Sequence, residues 1–309
     1  MRKFLLAAVL AVSLASCGKG GGVVKYVGLK VYDPVYIAKD MGFFDGVDVR
    51  IVDTVAGGAT AAQMVANGSV QGGLLSNMAI ANAAGSGLPI IAVADIQSAF
   101  NDSPLEEFFV RNGEISSVAG LRGKKIAINL VKSSFHYTWI IALKDAGVSP
   151  EEVSFVQIPF PQQQEALERG MVDAIGLMQP YAKSARESDE IEMLFCATDV
   201  FGERQFCEII MNRVWCESNA ELAERFVGGI AKASEWAIEH QREAKEIISR
   251  HTGVPADFID DYRFQPNARV DVSDAEWWLN YMQENEGVPR WVTVDDVATN
   301  RHNPKERGR

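Results

Sequence analysis

Residues 71–93 constrain the fold more than any other part of the sequence. They read as a short buried strand, a turn, a helix of small residues, a glycine stop and a second buried strand. Ser76 suits the N-cap of that helix because its hydroxyl can accept a hydrogen bond from the first helical turn, and Gly85 and Gly87 suit its end. Residues 88–93 are too apolar for a half-exposed strand, so they predict a parallel sheet covered on both faces.

The same alternation of strands and helices runs through most of the chain. A first unit has strands at residues 23–31, 47–52, 71–76 and 88–93, and a second has strands at 108–110, 126–129, 153–158, 172–177, 191–196 and 206–214. This order predicts an α/β fold with parallel sheets and right-handed crossovers. From residue 219 the chain becomes helical, with apolar residues repeating about every 3.6 positions.

The start of the chain has the features of a secretory signal. A basic start is followed by a short apolar core and by small residues that lead to Cys17. The sequence LASC at residues 14–17 resembles the bacterial lipobox, in which cleavage precedes a cysteine that then carries lipid. We therefore expect a signal peptide at 1–16, a lipidated tether at 17–22, and export as a periplasmic or cell-surface lipoprotein anchored at Cys17. A plain signal peptide followed by an unmodified cysteine is the alternative.

The net charge and the cysteine positions limit which partners, disulfides and metal sites we expect. The formal net charge is −11, so charge-driven binding to nucleic acid or to an anionic membrane surface is not expected. Export permits a disulfide among Cys196, Cys207 and Cys216, and the sequence allows three pairings. We favour Cys196–Cys207, because both residues lie in apolar segments beside a turn at Gly202. The cysteine spacing does not fit a zinc site, and we expect neither a metal nor a cofactor.

Several short motifs occur in an order typical of one family. They are YIAKDMGFF at residues 36–44, GG at 57–58, VANGSV at 65–70, GSGLPI at 85–90, LRGKKIA at 121–127, SSFH at 133–136, ALERGMVDA at 166–174 and QP at 179–180. Together they resemble the solute-binding proteins of bacterial ABC importers, in the group that binds nitrate, sulfonates, taurine and thiamine precursors. One departure is Gln71, where the family usually has aspartate, whereas Asp173 keeps the equivalent acid in the second unit.

The resemblance implies a two-domain periplasmic-binding-protein clamshell of type II-like architecture, each lobe a mostly parallel sheet flanked by helices. Lobe 1 would comprise residues 23–97 and 208–300, lobe 2 residues 98–207, and residues 301–309 a disordered tail. A small solute would bind between the lobes and stabilise the closed state. The permease and ATPase subunits of an importer would then receive it. We expect a monomer that touches the membrane only through its lipid anchor.

Candidate solute contacts lie in the loops that follow strands and open helices, because ligands of open α/β sheets bind beyond the carboxyl ends of the strands. The candidates are Tyr32, Asp33, Tyr36, Gly57, Gly58, Ala59, Ser76 and Asn77 in the first unit, and Ser133, Ser134, His136, Phe160, Gln179 and Tyr181 in the second. A sulfonate site would more comfortably contain an arginine, and these loops contain few cations. We therefore favour an aromatic or pyrimidine-like vitamin precursor, because Tyr32, Tyr36, Phe135, Tyr137 and Phe160 suit stacking on a flat ring.

Other interpretations of the same residues remain open. Asp33 is better suited to cap a helix than to contact a solute, Ser133 and Ser134 can serve as caps, and Glu106 and Glu107 read as a solvated charge pair. The competing functions are binding of a sulfonate, nitrate or taurine-type anion in the same role, an enzyme on the same fold, and an exported ligand sensor. The sequence contains no GxSxG, HExxH or phosphate-loop motif, and we expect no enzymatic activity.

Overall fold

The computed structural model of the protein describes residues 21–55 and 58–305. The expected signal peptide, the expected lipidation site Cys17 and the candidate contact Gly57 lie outside the described residues. In the part of the chain that is described, no helix combines the length and the apolar character needed to cross a membrane.

The strands of the described chain form two sheets of five strands each. They are β1 (Val23–Gly28), β2 (Asp48–Thr54), β3 (Gly72–Ser76), β4 (Ile90–Ala99), β5 (Glu106–Arg111), β6 (Lys125–Ile128), β7 (Ser154–Gln157), β8 (Ala174–Met178), β9 (Ile191–Cys196) and β10 (Arg204–Asn212). The strand order is β2-β1-β3-β10-β4 in the first sheet and β7-β6-β8-β5-β9 in the second.

The two sheets share one topology. In the first, β1 is parallel to β2 and β3, and β10 is antiparallel to β3 and β4. In the second, β6 is parallel to β7 and β8, and β5 is antiparallel to β8 and β9. The chain passes from the first sheet to the second between β4 and β5 and returns between β9 and β10, so it crosses between the sheets twice. The predicted α/β class with mostly parallel sheets is confirmed.

The two crossings lie side by side. Strands β4 and β10 pair along their whole length, from Arg204 opposite Ala99 to Asn212 opposite Ile90. The expected lobe boundaries, at residues 97/98 and 207/208, fall inside these two strands. The boundaries themselves stay a prediction.

Helices occupy most of the connections between strands, as the alternation predicts, and others follow β10. They are α1 (Pro34–Asp40), α2 (Gly58–Ala66), α3 (Asn77–Gly85), α4 (Ser134–Asp145), α5 (Phe160–Glu168), α6 (Ala182–Arg186), α7 (Ala197–Phe201), α8 (Arg213–Ser218), α9 (Ala220–Glu239), α10 (Gln241–Thr252), α11 (Val272–Asn285) and α12 (Val294–Val297). In α9, Phe226, Val227 and Ile230 are buried, which is the apolar face that the 3.6-residue rhythm predicts.

Gln71 and Asp173 hold equivalent places in the two sheets. The backbone N–H of Lys25, in β1, donates to Gln71 Oε1 over 2.9 Å. The backbone N–H of Lys125, in β6, donates to Asp173 Oδ2 over 2.8 Å. An amide oxygen can accept this bond as a carboxylate does, so the departure at Gln71 keeps the local structure.

The expected Cys196–Cys207 disulfide is not formed. Cys196, Cys207 and Cys216 are free and buried. Cys196 ends β9 in the second sheet, where its sulfur lies 3.2 Å from Asp199 Oδ2. Cys207 belongs to β10 in the first sheet, between β3 and β4. The expectation was wrong because the turn at Gly202 connects two different sheets rather than two neighbouring strands.

The end of the described chain is ordered, which corrects the expected disorder from residue 301. Asn303 is buried, and its Nδ2 donates to the backbone oxygen of Asn267 over 2.9 Å. Lys305 Nζ lies 3.2 Å from Glu235 Oε1 on α9. Residues 301–305 are therefore part of the fold, and residues 306–309 lie outside the described part.

Candidate ligand-binding cleft

A cavity of about 660 Å³ lies between residues of the two sheets. Its lining includes Lys30, Gly58, Ala59, Leu74, Ser76, Asn82 and Gln97 from the first unit, and Glu106, Asn129, Lys132, Ser133, Ser134, Phe135, Phe160 and Tyr181 from the second. The volume is that of a small-molecule site. We call this cavity the cleft.

Half of the expected contacts border the cleft. They are Gly58, Ala59, Ser76, Ser133, Ser134, Phe160 and Tyr181. Each lies at a strand end or in the first residues of a helix, which is the position that the rule for open α/β sheets predicts. Their contact with a solute stays a prediction.

Three helices begin at the cleft. Helix α2 starts at Gly58, which lines it. Ser76 caps α3 by accepting from the Ala79 N–H over 3.4 Å. Ser133 caps α4 by accepting from the His136 N–H over 3.3 Å, and its own hydroxyl donates to Asn129 Oδ1 over 2.6 Å. Unpaired N–H groups and the positive ends of these helix dipoles favour negative charge in the cleft.

Tyr32 and Tyr36 are core residues and do not line the cleft. The ring of Tyr36 stacks on His251 with centroids 4.4 Å apart, and its hydroxyl donates to the Leu29 carbonyl over 2.8 Å. The ring of Tyr32 stacks on Tyr262 at 4.6 Å. Both side chains are almost completely buried. The expectation that these two rings stack on a solute was wrong, because the packing of α1 turns them into the first unit.

Asp33 and Asn77 are also structural. Asp33 Oδ1 accepts from the Val35 N–H over 2.9 Å, which caps α1, and Oδ2 accepts from the Tyr26 hydroxyl over 2.8 Å. Burial raises the Asp33 pKa to about 6, against the lowering effect of these two bonds. Asn77 Nδ2 donates to Glu208 Oε1 over 3.2 Å, so it ties α3 to β10. The capping interpretation of Asp33 is confirmed.

His136 and Gln179 stabilise segments near the cleft without lining it. His136 Nδ1 accepts from the Lys132 N–H over 3.0 Å, and its ring packs edge-on against Phe155 at 4.7 Å. Burial lowers the His136 pKa, which favours the neutral ring that can accept this bond. Lys132 has a φ of 62°, a strained conformation for a residue with a side chain, and the bond supports it. Gln179 Nε2 donates to Asp260 Oδ2 over 2.6 Å.

Glu106 lines the cleft, and the sequence interpretation missed it. Glu106 and Glu107 are each 1% exposed, so the expected solvated pair was wrong. Successive strand residues point to opposite faces: Glu106 borders the cleft, and Glu107 pairs with Arg186. Thr138 Oγ1 donates to Glu106 Oε2 over 2.8 Å, and burial raises the Glu106 pKa to about 8. The signal in the sequence was an acidic pair directly before the apolar run Phe108–Val110.

Three amides at the cleft were also missed. Asn82 Nδ2 donates to the Tyr137 hydroxyl over 3.3 Å, which links α3 to α4. Gln97 lies in β4, and Asn129 directly follows β6. Asn129 ends a predicted strand and could have been found by the rule that was applied to its neighbours. Among the described residues, no group of three or more histidine, cysteine, aspartate or glutamate side chains is placed to hold a metal ion.

The comparisons with known proteins agree with the resemblance found in the sequence. The chain is 24% identical over 190 residues to a protein of Escherichia coli (strain K12) named for binding aliphatic sulfonates. It is 26% identical over 217 residues to the taurine-binding periplasmic protein of the same organism. These matches cover 59% and 68% of this chain, and only 59% and 65% of the two relatives.

A solved structure with the same fold is the periplasmic aliphatic sulphonate binding protein SsuA from Escherichia coli. It superposes with a TM-score of 0.71 at 18% identity, over 89% of this chain and 91% of that one. This likeness confirms the expected periplasmic-binding-protein fold. The family model described as NMT1/THI5 like matches residues 31–244. Because this match covers more than half of the sequence, the chain belongs to the NMT1/THI5-like family.

Proposed function

We propose that the protein is the extracytoplasmic solute-binding component of an ABC importer. The observation that carries the proposal is the cleft, which has the size of a small-molecule site and takes its lining from both sheets. A solute in such a cleft contacts both units only when they are close together, so binding favours closure. Closure is the signal that a permease and its ATPase subunits would recognise. The relatives named for sulfonate and taurine binding support the same role.

We infer that the solute is a small organic anion of the sulfonate type. The helix N-termini at Gly58, Ser76 and Ser133 supply N–H donors and positive dipole ends. Lys30 and Lys132 add positive charge at the exposed rim. No arginine is found among the described lining residues, so the backbone would carry most of the anion recognition.

An aromatic solute is the second candidate. Two of the five rings that we expected to stack on it, Tyr32 and Tyr36, are buried in the core. Phe160 and Tyr181 border the cleft with ring centroids 6.1 Å apart, and they offer a different apolar surface to a flat ring. A pyrimidine-like vitamin precursor therefore stays in the test as a competing solute.

The enzymatic alternative finds little support in the chemistry of the cleft. Cys207 lines it, and a thiolate is the form in which cysteine acts as a nucleophile. Burial and the neighbouring carboxyls Glu106, Glu208 and Asp95 raise the Cys207 pKa well above its ordinary value. This thiol is therefore held in its unreactive form. A ligand sensor would share the cleft and would differ only in its partner.

A screen of the soluble chain, residues 18–309, tests the binding function. The panel contains taurine, alkyl sulfonates, nitrate, bicarbonate, pyrimidines and thiamine precursors. A solute at a hundred times its dissociation constant adds about 2.7 kcal/mol of stability, which a thermal melt detects. A shift with sulfonates supports the proposal, a shift with pyrimidines alone overturns the ligand class, and no shift with any compound overturns the binding function.

We also propose that the mature protein is a monomer that is lipidated at Cys17 and anchored by that lipid. The support is the sequence LASC at residues 14–17 directly after an apolar core. Metabolic labelling with a radioactive fatty acid should label the full-length protein, and Cys17→Ser should abolish the label. A labelled serine variant would contradict the anchor.

A further inference from the structure

A group of polar contacts outside the cleft joins the second sheet to the C-terminal part of the chain. Gln179 Nε2 donates to Asp260 Oδ2 over 2.6 Å, and the Asp260 N–H donates to Gln179 Oε1 over 3.4 Å. Arg186 forms an ion pair with the same Asp260 carboxylate. Lys183 Nζ donates to the Asp257 carbonyl oxygen over 2.5 Å. We call these four contacts the clasp, and none of its five residues is among the described residues that line the cleft.

The half of the clasp that α6 provides is fixed to the second sheet. Ala182 and Ala185 of α6 are buried in the apolar cluster of that sheet. Arg186 also pairs with Glu107 of β5, which is 1% exposed. A buried carboxylate without a partner is costly, so Glu107 keeps the guanidinium in place whether or not Asp260 is near. This preorganisation reduces the entropy that is lost when the ion pair with Asp260 forms.

The other half of the clasp is fixed to the first unit. Asp261 directly follows Asp260, and its Oδ1 lies 2.5 Å from Lys245 Nζ on α10. The next residue, Tyr262, stacks on Tyr32 with ring centroids 4.6 Å apart. Asp260 therefore belongs to the first unit. A change in the angle between the two sheets would separate the two halves of the clasp.

We propose that the clasp holds the two sheets in the arrangement that forms the cleft, and that Arg186 and Asp260 are positioning residues that raise solute affinity without touching the solute. This role rests on the proposed function, in which a solute is captured between the two units. The apparent affinity of a solute is proportional to the fraction of the protein that is in the binding-competent arrangement. Loss of the clasp lowers that fraction and leaves the lining of the cleft unchanged.

The position of the ion pair determines how much the clasp contributes. The side chains of Arg186 and Asp260 are 32% and 29% exposed, whereas that of the neighbouring Asp261 is 72% exposed. Water and salt screen exposed ion pairs, which therefore contribute little. A hydrogen bond to a charged group in a partly buried position contributes more. Loss of the clasp should therefore lower solute affinity by about tenfold or more.

Small-angle X-ray scattering of residues 18–309 without solute tests the clasp directly. Asp260→Lys places a second cation beside Arg186 and should increase the radius of gyration. Asp261→Lys is the matched control, since it makes the same change of charge at the next residue and loses only the ion pair with Lys245. It should keep the native radius of gyration. Asp260→Asn removes the charge without adding repulsion and should give an intermediate value, and urea denaturation confirms that each variant is folded.

Titration calorimetry with ethanesulfonate measures the effect on binding. Asp260→Lys should bind this anion at least about tenfold more weakly than the native protein, and Asp261→Lys should bind it within about threefold of the native affinity. At saturating ethanesulfonate the radius of gyration of Asp260→Lys should return to the native value, because the solute favours the arrangement in which the cleft is formed. A purely structural role for Asp260 would not produce this recovery.

The scattering and the calorimetry separate the clasp from the proposed function. Equal radii of gyration for the native protein, Asp260→Asn and Asp260→Lys would overturn the clasp, and binding of ethanesulfonate would still support the proposed function. A larger radius in Asp261→Lys as well would also overturn the clasp, because the change of charge alone would then separate the units. A larger radius in the Asp260 variants alone, with no binding of ethanesulfonate to any of the proteins, would support the clasp and contradict the sulfonate proposal.

Discussion

The replacement Glu106→Gln should stabilise the unliganded protein, and by more at neutral than at acidic pH. Burial raises the pKa of Glu106 from an ordinary value of 4.5 to about 8 in the folded chain. A carboxyl whose pKa is raised on folding contributes stability below its unfolded pKa and loses it as the pH rises through its folded pKa. At pH 7 the unfolded chain is ionised at this residue and the folded chain is not. Because pH 7 lies about 2.5 pH units above the unfolded pKa, the proton that the folded chain retains lowers the stability of the native protein by about 3 kcal/mol at this pH.

Urea denaturation of both proteins at pH 4, 5, 6, 7 and 8 measures this effect. The free energy of unfolding of Glu106→Gln minus that of the native protein should increase by about 3 kcal/mol between pH 4 and pH 7. The control Glu276→Gln changes an exposed residue and should run parallel to the native protein. A Glu106→Gln curve that also runs parallel to the native curve at every pH would refute the reasoning, because Glu106 would then titrate as an ordinary surface acid.

Three further predictions follow from the packing. Tyr36→Phe should lower the free energy of unfolding by about 1 kcal/mol, because the hydrogen bond to the Leu29 carbonyl is lost. Tyr36→Ala should lower it by about 3–5 kcal/mol. Chemical denaturation measures both changes, and the phenylalanine variant should keep native solute affinity. Gly176→Ala should lower both stability and solute affinity, because a Cβ there would lie 2.7 Å from the Phe135 ring, which lines the cleft. Titration calorimetry measures the affinity, and an unchanged value would contradict the close packing. The buried thiols of residues 18–309 should react with a thiol reagent only after unfolding, and a Cys196–Cys207 bridge would instead leave one reactive thiol in urea.

Much of the fold could be predicted because it depends on local signals. The apolar strands, the serine caps of α3 and α4 and the glycine stops each act within a few residues, and all of them are visible in the sequence. The α/β class followed from the βαβ alternation and the two-lobe division from the family motifs, whereas the strand order and the antiparallel places of β5 and β10 were not predicted. The disulfide could not be predicted in the same way, because the pairing of Cys196 and Cys207 depends on which sheet each strand joins. That is a property of the crossovers and not of the turn between the two strands.

The cleft was predictable in position but not in all its residues. The rule about strand ends selects loops, and it found the serines and glycines at helix starts. It cannot say which way a side chain turns. Tyr32 and Tyr36 lie in such a loop and helix, yet they pack against Tyr262 and His251 from the C-terminal segment. Glu106 was missed for the opposite reason, since its burial depends on α4 and β10, which are distant in the sequence.

The most direct test of solute binding in the cleft is a pair of matched tryptophan substitutions. Ala59 is an exposed residue in the first turn of α2 and lines the cleft. Ala220 is an exposed residue at the start of α9 and is not among the lining residues. Titration calorimetry with the tightest solute of the panel compares the two variants. Ala59→Trp should weaken binding by about a hundredfold or more, since the indole fills space that the solute needs, and Ala220→Trp should bind like the native protein. Native affinity in Ala59→Trp would contradict the assignment of the cleft as the binding site.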